Sequence, residues 1–267
     1  TSMVYEFTEL QGIMGSYYAK AQGFSDEISL AIREQYLPKA ENGALPSNEF
    51  SSIVALANKL DTLMGLFSVN KIPSGTKDPY ALRRAANGVI KIALNLGVKF
   101  NLRELLNKLA PNYKKFDLQS LENFIFERLD TLYNANSSFI KAVLMSQNAD
   151  LVRIDESIKA LIALSKKDDF SENFSTFKRL ANIAVKVSVG VDENLFETQQ
   201  EKALYKAFKK CEPNAKPSEL LRALFALKPE IDDFFDKVMI NVKDERLKTN
   251  RQALVYEIYK AFLSVAD

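Results

Sequence analysis

Residues 51–96 read SSIVALANKLDTLMGLFSVNKIPSGTKDPYALRRAANGVIKIALNL, and this stretch decides the class of fold. Apolar side chains recur at three- and four-residue steps in its first part and again in its last part, which is the spacing of two amphipathic helices joined by a loop. Lys59, Asp61 and Thr62 fall outside the apolar stripe of the first helix. The two stripes are predicted to face the core through Ile53, Ala57, Leu60, Met64 and Phe67, and through Leu82, Ala86, Val89, Ala93 and Leu96.

The second of these helices has start and stop signals in the sequence. Asp78 is followed by Pro79, and an aspartate at the N-cap with proline at the first helical position favours a helix start. The carboxylate accepts hydrogen bonds from free amides, and proline has no amide to leave unpaired. Gly97 is predicted as the C-cap. The outward face of this helix carries Arg84, Asn87 and Lys91, with Arg83 close by.

Composition places the whole chain in a helical class. The 267 residues are 47% hydrophobic and 26% charged, with nine glycines and eight prolines, so the chain can bury a sizeable core. Leu, Ala, Lys and Glu dominate and β-branched alternation is scarce, which predicts an all-α fold. The sequence has no apolar run of the roughly 18–20 residues that a membrane span needs. The N-terminus shows no signal-peptide pattern, and a single cysteine, Cys211, agrees with a reducing cytoplasm, so a cytoplasmic location is predicted.

The chain contains no histidine. This excludes Ser-His-Asp and Cys-His nucleophilic catalysis, HExxH zinc sites and the histidine–aspartate metal chemistry of phosphohydrolases. The net charge of +2 neither favours nor excludes nucleic-acid binding. Dedicated nucleic-acid binders are often more basic, so any RNA site is expected to be a local basic patch.

Two further stretches of the sequence have the apolar spacing of helices. The pattern over 4–21 predicts one helix in which Gly12 and Gly15 pack closely against another helix. The pattern over 174–189 predicts a second helix with FKRLANIAVK at its centre. That helix would project Lys178, Arg179, Asn182 and Lys186 from its polar side.

Several long stretches carry a resemblance to a known family. KLDTLMGLF (59–67) and PSGTKDPYALRRAANGV (73–89) resemble the beta subunit of the bacterial two-subunit glycyl-tRNA synthetase. The likeness continues in MVYEFTELQGIMGSYYA (3–19) and in DDFFDKVMINVKDERLKTNRQALV (232–255), so it spans nearly the whole chain. The resemblance implies the C-terminal portion of that subunit.

The resemblance also implies two helical domains. Residues 1–112 would be an HD-like helical domain and residues 113–267 a DALR-type anticodon-binding domain of the kind shared with arginyl-tRNA synthetase. The polar connection PNYKKFD places the expected boundary near residue 113. Gln35 stands where the family tends to show a histidine, and Asp61 has no histidine to join it, so no metal site is expected.

Recognition of RNA requires cations for phosphates and planar or amide groups for unstacked bases. Asn182 and Asn250 are candidates to reach a base edge, and Tyr205 is one candidate for stacking. The resemblance to tRNA-binding domains makes three groups candidate tRNA contacts: Lys77, Arg83, Arg84 and Lys91; Lys178, Arg179, Asn182 and Lys186; and Lys243, Arg246, Lys248 and Arg251.

No aminoacylation motif of either synthetase class is found. The resemblance implies that an alpha subunit carries the catalytic domain and uses ATP, in a heterotetramer of two alpha and two beta subunits. This chain would bind tRNA(Gly) and contribute no catalytic residue, metal site or cofactor site to the ligase. An alternative is a helical assembly module without tRNA binding of its own. A phosphohydrolase related to HD enzymes is disfavoured by the absence of histidine.

Overall fold

Helices form the architecture, as the composition predicts. A computed structural model describes residues 3–133, 135–146 and 148–266, and 66% of these residues are helical. In the described part no helix is long and apolar enough to span a membrane. The helices are α1 (Met3–Glu6), α2 (Ile13–Ala21), α3 (Asp26–Glu34), α4 (Glu49–Ser68), α5 (Leu82–Leu96), α6 (Leu102–Leu109), α7 (Leu118–Phe126), α8 (Leu129–Leu132), α9 (Ser137–Met145), α10 (Leu151–Ser165), α11 (Phe170–Ile183), α12 (Gln199–Phe208), α13 (Pro217–Phe225), α14 (Lys228–Lys237) and α15 (Glu245–Leu263).

The chain divides into two compact units. The first comprises residues 1–134 and 149–152, and the second residues 135–148 and 153–267. In the first unit α7 packs on α4, α5 and α6, so the connection near residue 113, where the sequence placed a domain boundary, lies inside that unit. In the second unit α12 and α11 pack on α14 and α15, and α13 packs on α15.

The pairing of α4 with α5 forms the centre of the first unit. Their interface buries Leu60, Met64 and Phe67 as predicted, together with the predicted residues of α5 from Leu82 to Ala93. The buried face of α4 is rotated from the predicted stripe, because Ile53 is 51% exposed. Lys59 is 6% exposed and lies in this interface, although the apolar pattern had left it outside. The reason is tertiary: Gly88 of α5 leaves room for the Lys59 side chain.

The start of α5 differs in detail from its prediction. The helix begins at Leu82, after a left-handed Ala81, and not at Pro79. Asp78 still caps it, since its carboxylate accepts from the amides of Leu82 at 2.8 Å and Arg83 at 2.9 Å. The C-cap prediction is confirmed, because Gly97 takes a left-handed conformation (φ +64°) and its amide donates to the Ala93 carbonyl.

The N-terminal helix predicted over 4–21 is broken. Gly12 has φ +84°, and α2 begins after it. A Cβ at Gly12 would lie 2.6 Å from the carbonyl oxygen of Arg33, so the backbone of residue 12 lies directly against the end of α3. Gly15 is also at this contact, where a Cβ would lie 3.0 Å from Ile32. The close packing predicted from the two glycines is thus present, but it interrupts the helix.

Gly12→Ala should destabilise the first unit more than Gly23→Ala. Both glycines have positive φ, +84° and +82°, and a left-handed conformation costs an alanine about 1–2 kcal/mol. Only Gly12 meets a backbone atom, because a Cβ at Gly23 has nothing within 4 Å. Urea unfolding followed by circular dichroism measures both variants. Equal losses of unfolding free energy would contradict the close contact assigned to Gly12.

Candidate nucleic-acid interface

The first predicted basic group is largely engaged with backbone carbonyls of its own unit. Lys77 is exposed, and within the described residues its side chain forms no hydrogen bond or ion pair. Arg83 donates to the carbonyl of Gly75, Arg84 donates to that of Lys39 at 3.0 Å, and Lys91 donates to that of Glu41. Lys77 is thus the member of this group most available to an external phosphate.

The second predicted group is divided by the end of its helix. α11 ends at Ile183, so Lys186 lies in the following segment and does not continue the helical face. Lys178 and Asn182 are exposed on α11, where the ammonium of Lys178 lies 5.0 Å from the ring centre of Phe174. Arg179 is held at 3.2 Å by Asp236 and stacks over Phe235 at 4.9 Å.

The third predicted group separates into surface and core. Lys243 and Arg246 are exposed, and Lys248 pairs with Glu245 at 3.2 Å. Arg251, by contrast, is only 5% exposed. The prediction that Arg251 lies at an RNA surface is wrong, because its guanidinium lies inside the second unit.

Asn250 is also buried, at 3% exposure. Its amide accepts from the backbone amide of Asp192 at 2.7 Å and donates to the carbonyl of the same residue at 2.9 Å. Both ends of this side chain therefore fix the segment before α12, and the expectation that Asn250 reads a base edge is not met.

Arg251 and Glu201 join α15 to the start of α12. The Arg251 Nε donates to Glu201 Oε1 at 2.7 Å, and its Nη1 donates to the carbonyl of Met239 at 2.9 Å. The other oxygen of Glu201 completes a capping box by accepting from the amide of Thr198 at 2.7 Å. Burial by itself raises the pKa of Glu201, but the hydrogen bonds from Arg251 and Thr198 outweigh it and hold that pKa below its ordinary value.

α12 carries a row of lysines that sequence reasoning did not select. Lys202, Lys206 and Lys209 are exposed, and none forms an ion pair with a carboxylate in the described part of the chain. Together with Glu193 they surround a cavity of about 460 Å³ that Phe196 and Tyr205 also line. The two rings meet edge to face at 5.4 Å, and Lys209 lies 5.4 Å from the centre of the Tyr205 ring. The spacing of the lysines in QQEKALYKAFKK was the signal for this surface.

The carboxylates that resemble metal ligands in the sequence have other partners. Asp61 accepts from the hydroxyl of Tyr113 at 2.6 Å. On α14, Asp232 pairs with Lys228, Asp233 with Lys237 and Asp236 with Arg179. Across the described residues, no group of three or more Cys, Asp or Glu side chains is arranged to hold a metal ion.

Known proteins match this chain over most or all of its length. The family described as glycyl-tRNA synthetase beta subunit matches residues 1–145. The glycine–tRNA ligase beta subunit of Helicobacter pylori (strain G27) is 40% identical over 280 residues, covering 100% of this chain and 40% of the relative. The same subunit of Streptococcus pneumoniae (serotype 19F, strain G54) is 39% identical over 269 residues, covering 97% and 39%. The chain therefore spans about two fifths of the length of these relatives.

Arg251→Ala should destabilise the second unit by about 3–5 kcal/mol, because it leaves the buried carboxylate of Glu201 without its cation. Arg246→Ala on the same helix removes the same charge from an exposed site and should change the unfolding free energy by no more than about 0.5 kcal/mol. Thermal and urea unfolding compare the pair. Equal stability of the two variants would contradict the structural role of Arg251.

The Glu201 carboxylate should also make stability depend on acidity. Since its folded pKa lies below the ordinary value of 4.5, its contribution is complete above about pH 4.5 and is lost as the pH falls through the folded pKa. Glu201→Gln should therefore flatten the acid limb of the stability–pH curve. Urea midpoints measured across the acid range test this, and an unchanged slope in the variant would contradict it.

Proposed function

Because the chain belongs to the family of glycyl-tRNA synthetase beta subunits, we propose that it is a tRNA-binding portion of glycine–tRNA ligase. It recognises tRNA(Gly), while a separate alpha subunit carries out the ATP-dependent aminoacylation. The first unit corresponds to the HD-like domain of the family and the second to the DALR-type anticodon-binding domain. The chain itself supplies recognition and no catalytic residue.

The α12 surface is the observation that carries this proposal. Three exposed lysines without carboxylate partners among the described residues surround a cavity with two aromatic rings in its lining. Cations bind phosphates, and the two rings, each only 9% exposed, give the cavity an apolar floor against which an unpaired base can pack. A single-stranded loop such as an anticodon is therefore the kind of RNA that this combination suits. A ligand recognised only through its phosphodiester backbone would contact the lysines and would not require the aromatic rings.

Exposed members of the predicted groups are proposed as further contacts, each within its own unit. Basic residues that already bind a carbonyl or carboxylate within the protein would have to exchange that partner for a phosphate. They are therefore expected to contribute less to RNA affinity. Arg251 and Asn250 are left out because they are buried. The contacts proposed are Lys202, Lys206, Lys209, Lys178, Asn182, Lys186, Lys243, Arg246 and Lys77.

A second role, assembly with another subunit, is favoured by exposed apolar side chains in the first unit. Ile53 on α4 is 51% exposed and Phe24, which precedes α3, is 52% exposed. α3 packs on α4, and exposed apolar groups on or beside these helices suit burial by a protein partner better than contact with RNA. This role is compatible with tRNA binding, and it becomes the leading one if free tRNA does not bind.

Replacing Lys202, Lys206 and Lys209 together by alanine should weaken tRNA(Gly) binding and flatten its salt dependence. Each lysine that contacts a phosphate should account for about one unit in the slope of log K against log salt concentration. Fluorescence anisotropy with labelled tRNA at several salt concentrations measures both quantities.

The matched control is the triple alanine variant of Lys141, Lys166 and Lys260, which are exposed in the same unit and lie outside the cavity. It has the same net charge as the test variant, so it should retain the slope of the unmodified chain. Equal loss in both triple variants would reduce the interaction to a general charge effect and overturn the proposed surface.

A further inference from the structure

A second cavity lies in the first unit, between α5 and the segment that follows α3. It has a volume of about 250 Å³ and is lined by Pro38, Ala40, Glu41, Arg84, Asn87, Gly88 and Lys91. Drug-sized ligands occupy pockets of about 300–1,000 Å³, so this cavity suits a smaller group. Its lining includes two cations, Arg84 and Lys91, one carboxylate, Glu41, and the side-chain amide of Asn87.

A third cation lies beside the cavity. Gly88 is the lining residue without a side chain, and a Cβ placed there would lie 2.7 Å from Lys59 Cδ and 3.5 Å from Lys59 Nζ. Lys59 thus passes directly behind Gly88, and its ammonium donates to the carbonyl of Tyr36 at 3.3 Å. Its side chain is buried, at 6% exposure for the residue.

The three cations converge on the backbone of one short segment, and none of them pairs with the Glu41 carboxylate that the segment carries. Lys59, Arg84 and Lys91 donate to the carbonyls of Tyr36, Lys39 and Glu41, respectively. In the described structure none of the three forms an ion pair with a carboxylate. Burial and then the charge of Arg84 lower the pKa of Lys59 from 10.5 to about 8. An anion in the cavity would relieve the repulsion among these charges.

Asn87 adds a requirement for a hydrogen-bond donor. Its Oδ1 atom is buried and has no hydrogen-bond partner. A buried acceptor without a donor costs free energy that a suitable ligand would recover. The cavity therefore matches a small group that carries negative charge and also an O–H hydrogen.

We propose that Lys59, Arg84, Lys91 and Asn87 form a site for a phosphate monoester or inorganic phosphate. Such a group has anionic oxygens for the three cations and, in its monoprotonated form, a P–OH hydrogen for Asn87 Oδ1. Sulfate and phosphodiesters have the charge but not the hydrogen, so the site selects against both. The site does not depend on the α12 surface, which lies in the other unit.

Calorimetric titration of the chain with inorganic phosphate, sulfate and dimethyl phosphate at constant ionic strength tests the site. Phosphate should bind about tenfold more tightly than sulfate or dimethyl phosphate, the effect of about one hydrogen bond between a ligand and a buried acceptor. Asn87→Ala should reduce phosphate to the level of sulfate and leave sulfate unchanged.

Two further variants separate loss of the site from loss of the fold. Lys91→Gln removes a cation from the half-exposed rim, and Lys59→Met replaces the buried ammonium with an apolar side chain of similar length. Both should abolish phosphate binding while thermal unfolding stays cooperative. Lys99→Gln, at an exposed position outside the cavity, should bind phosphate like the unmodified chain. Equal binding of phosphate and sulfate, or phosphate binding that survives both cavity variants, would overturn the proposal.

A competition experiment separates the two sources of a phosphate monoester. If the group is the 5′ end of an RNA, inorganic phosphate should weaken binding of a tRNA transcript with a 5′-monophosphate and leave a dephosphorylated transcript unaffected. If the group is a free small molecule, phosphate should compete with neither transcript. Absence of any saturable heat with phosphate would overturn the site for both sources.

Discussion

The close contact of Lys59 with Gly88 determines how α4 and α5 pack, and the rest of the first unit is built on that helix pair. A side chain at position 88 would occupy the space of the lysine methylenes, so the two helices can bury a lysine between them only because residue 88 is glycine. The ammonium then reaches the carbonyl of Tyr36 and anchors the segment after α3. α3 packs on α4, and α7 packs on both α4 and α5, so Lys59 lies within the helix pair on which the other two helices rest.

The second unit also buries a charged side chain between helices, but there the cation is paired with a carboxylate. Arg251 and Glu201 are 5% and 0% exposed, and they join α15 to the cap of α12 at 2.7 Å. Breaking such a pair is costly because the remaining charge stays buried. The pair fixes the helix whose outer face carries Lys202, Lys206 and Lys209, so a structural ion pair positions the proposed RNA surface. In the second unit, therefore, Arg251 holds the fold and the lysines of α12 are left for a ligand, whereas in the first unit Lys59 both holds the fold and lies beside the proposed phosphate site.

The sequence predicted the all-α class, the α4–α5 pair, the Asp78 cap and the Gly97 stop, because each depends on local periodicity or backbone chemistry. It did not predict the buried positions of Lys59 and Arg251, since a lysine or arginine on an amphipathic helix is expected at the surface unless a partner is known. Those partners, Gly88 and Glu201, lie 29 and 50 residues away in the sequence. The break at Gly12 likewise depends on a tertiary contact, the close approach of residue 12 to the Arg33 carbonyl.

Binding of the chain to tRNA(Gly), compared with the same tRNA carrying a changed central anticodon base, tests the central claim most directly. The proposed anticodon-binding role of the second unit predicts salt-sensitive binding that weakens when this base is changed, because an unstacked base is read as well as the backbone. Equal affinity for both RNAs, at low and at moderate salt, would contradict recognition and leave only a nonspecific basic surface. If neither RNA binds, the assembly role of the first unit's exposed apolar side chains becomes the favoured one.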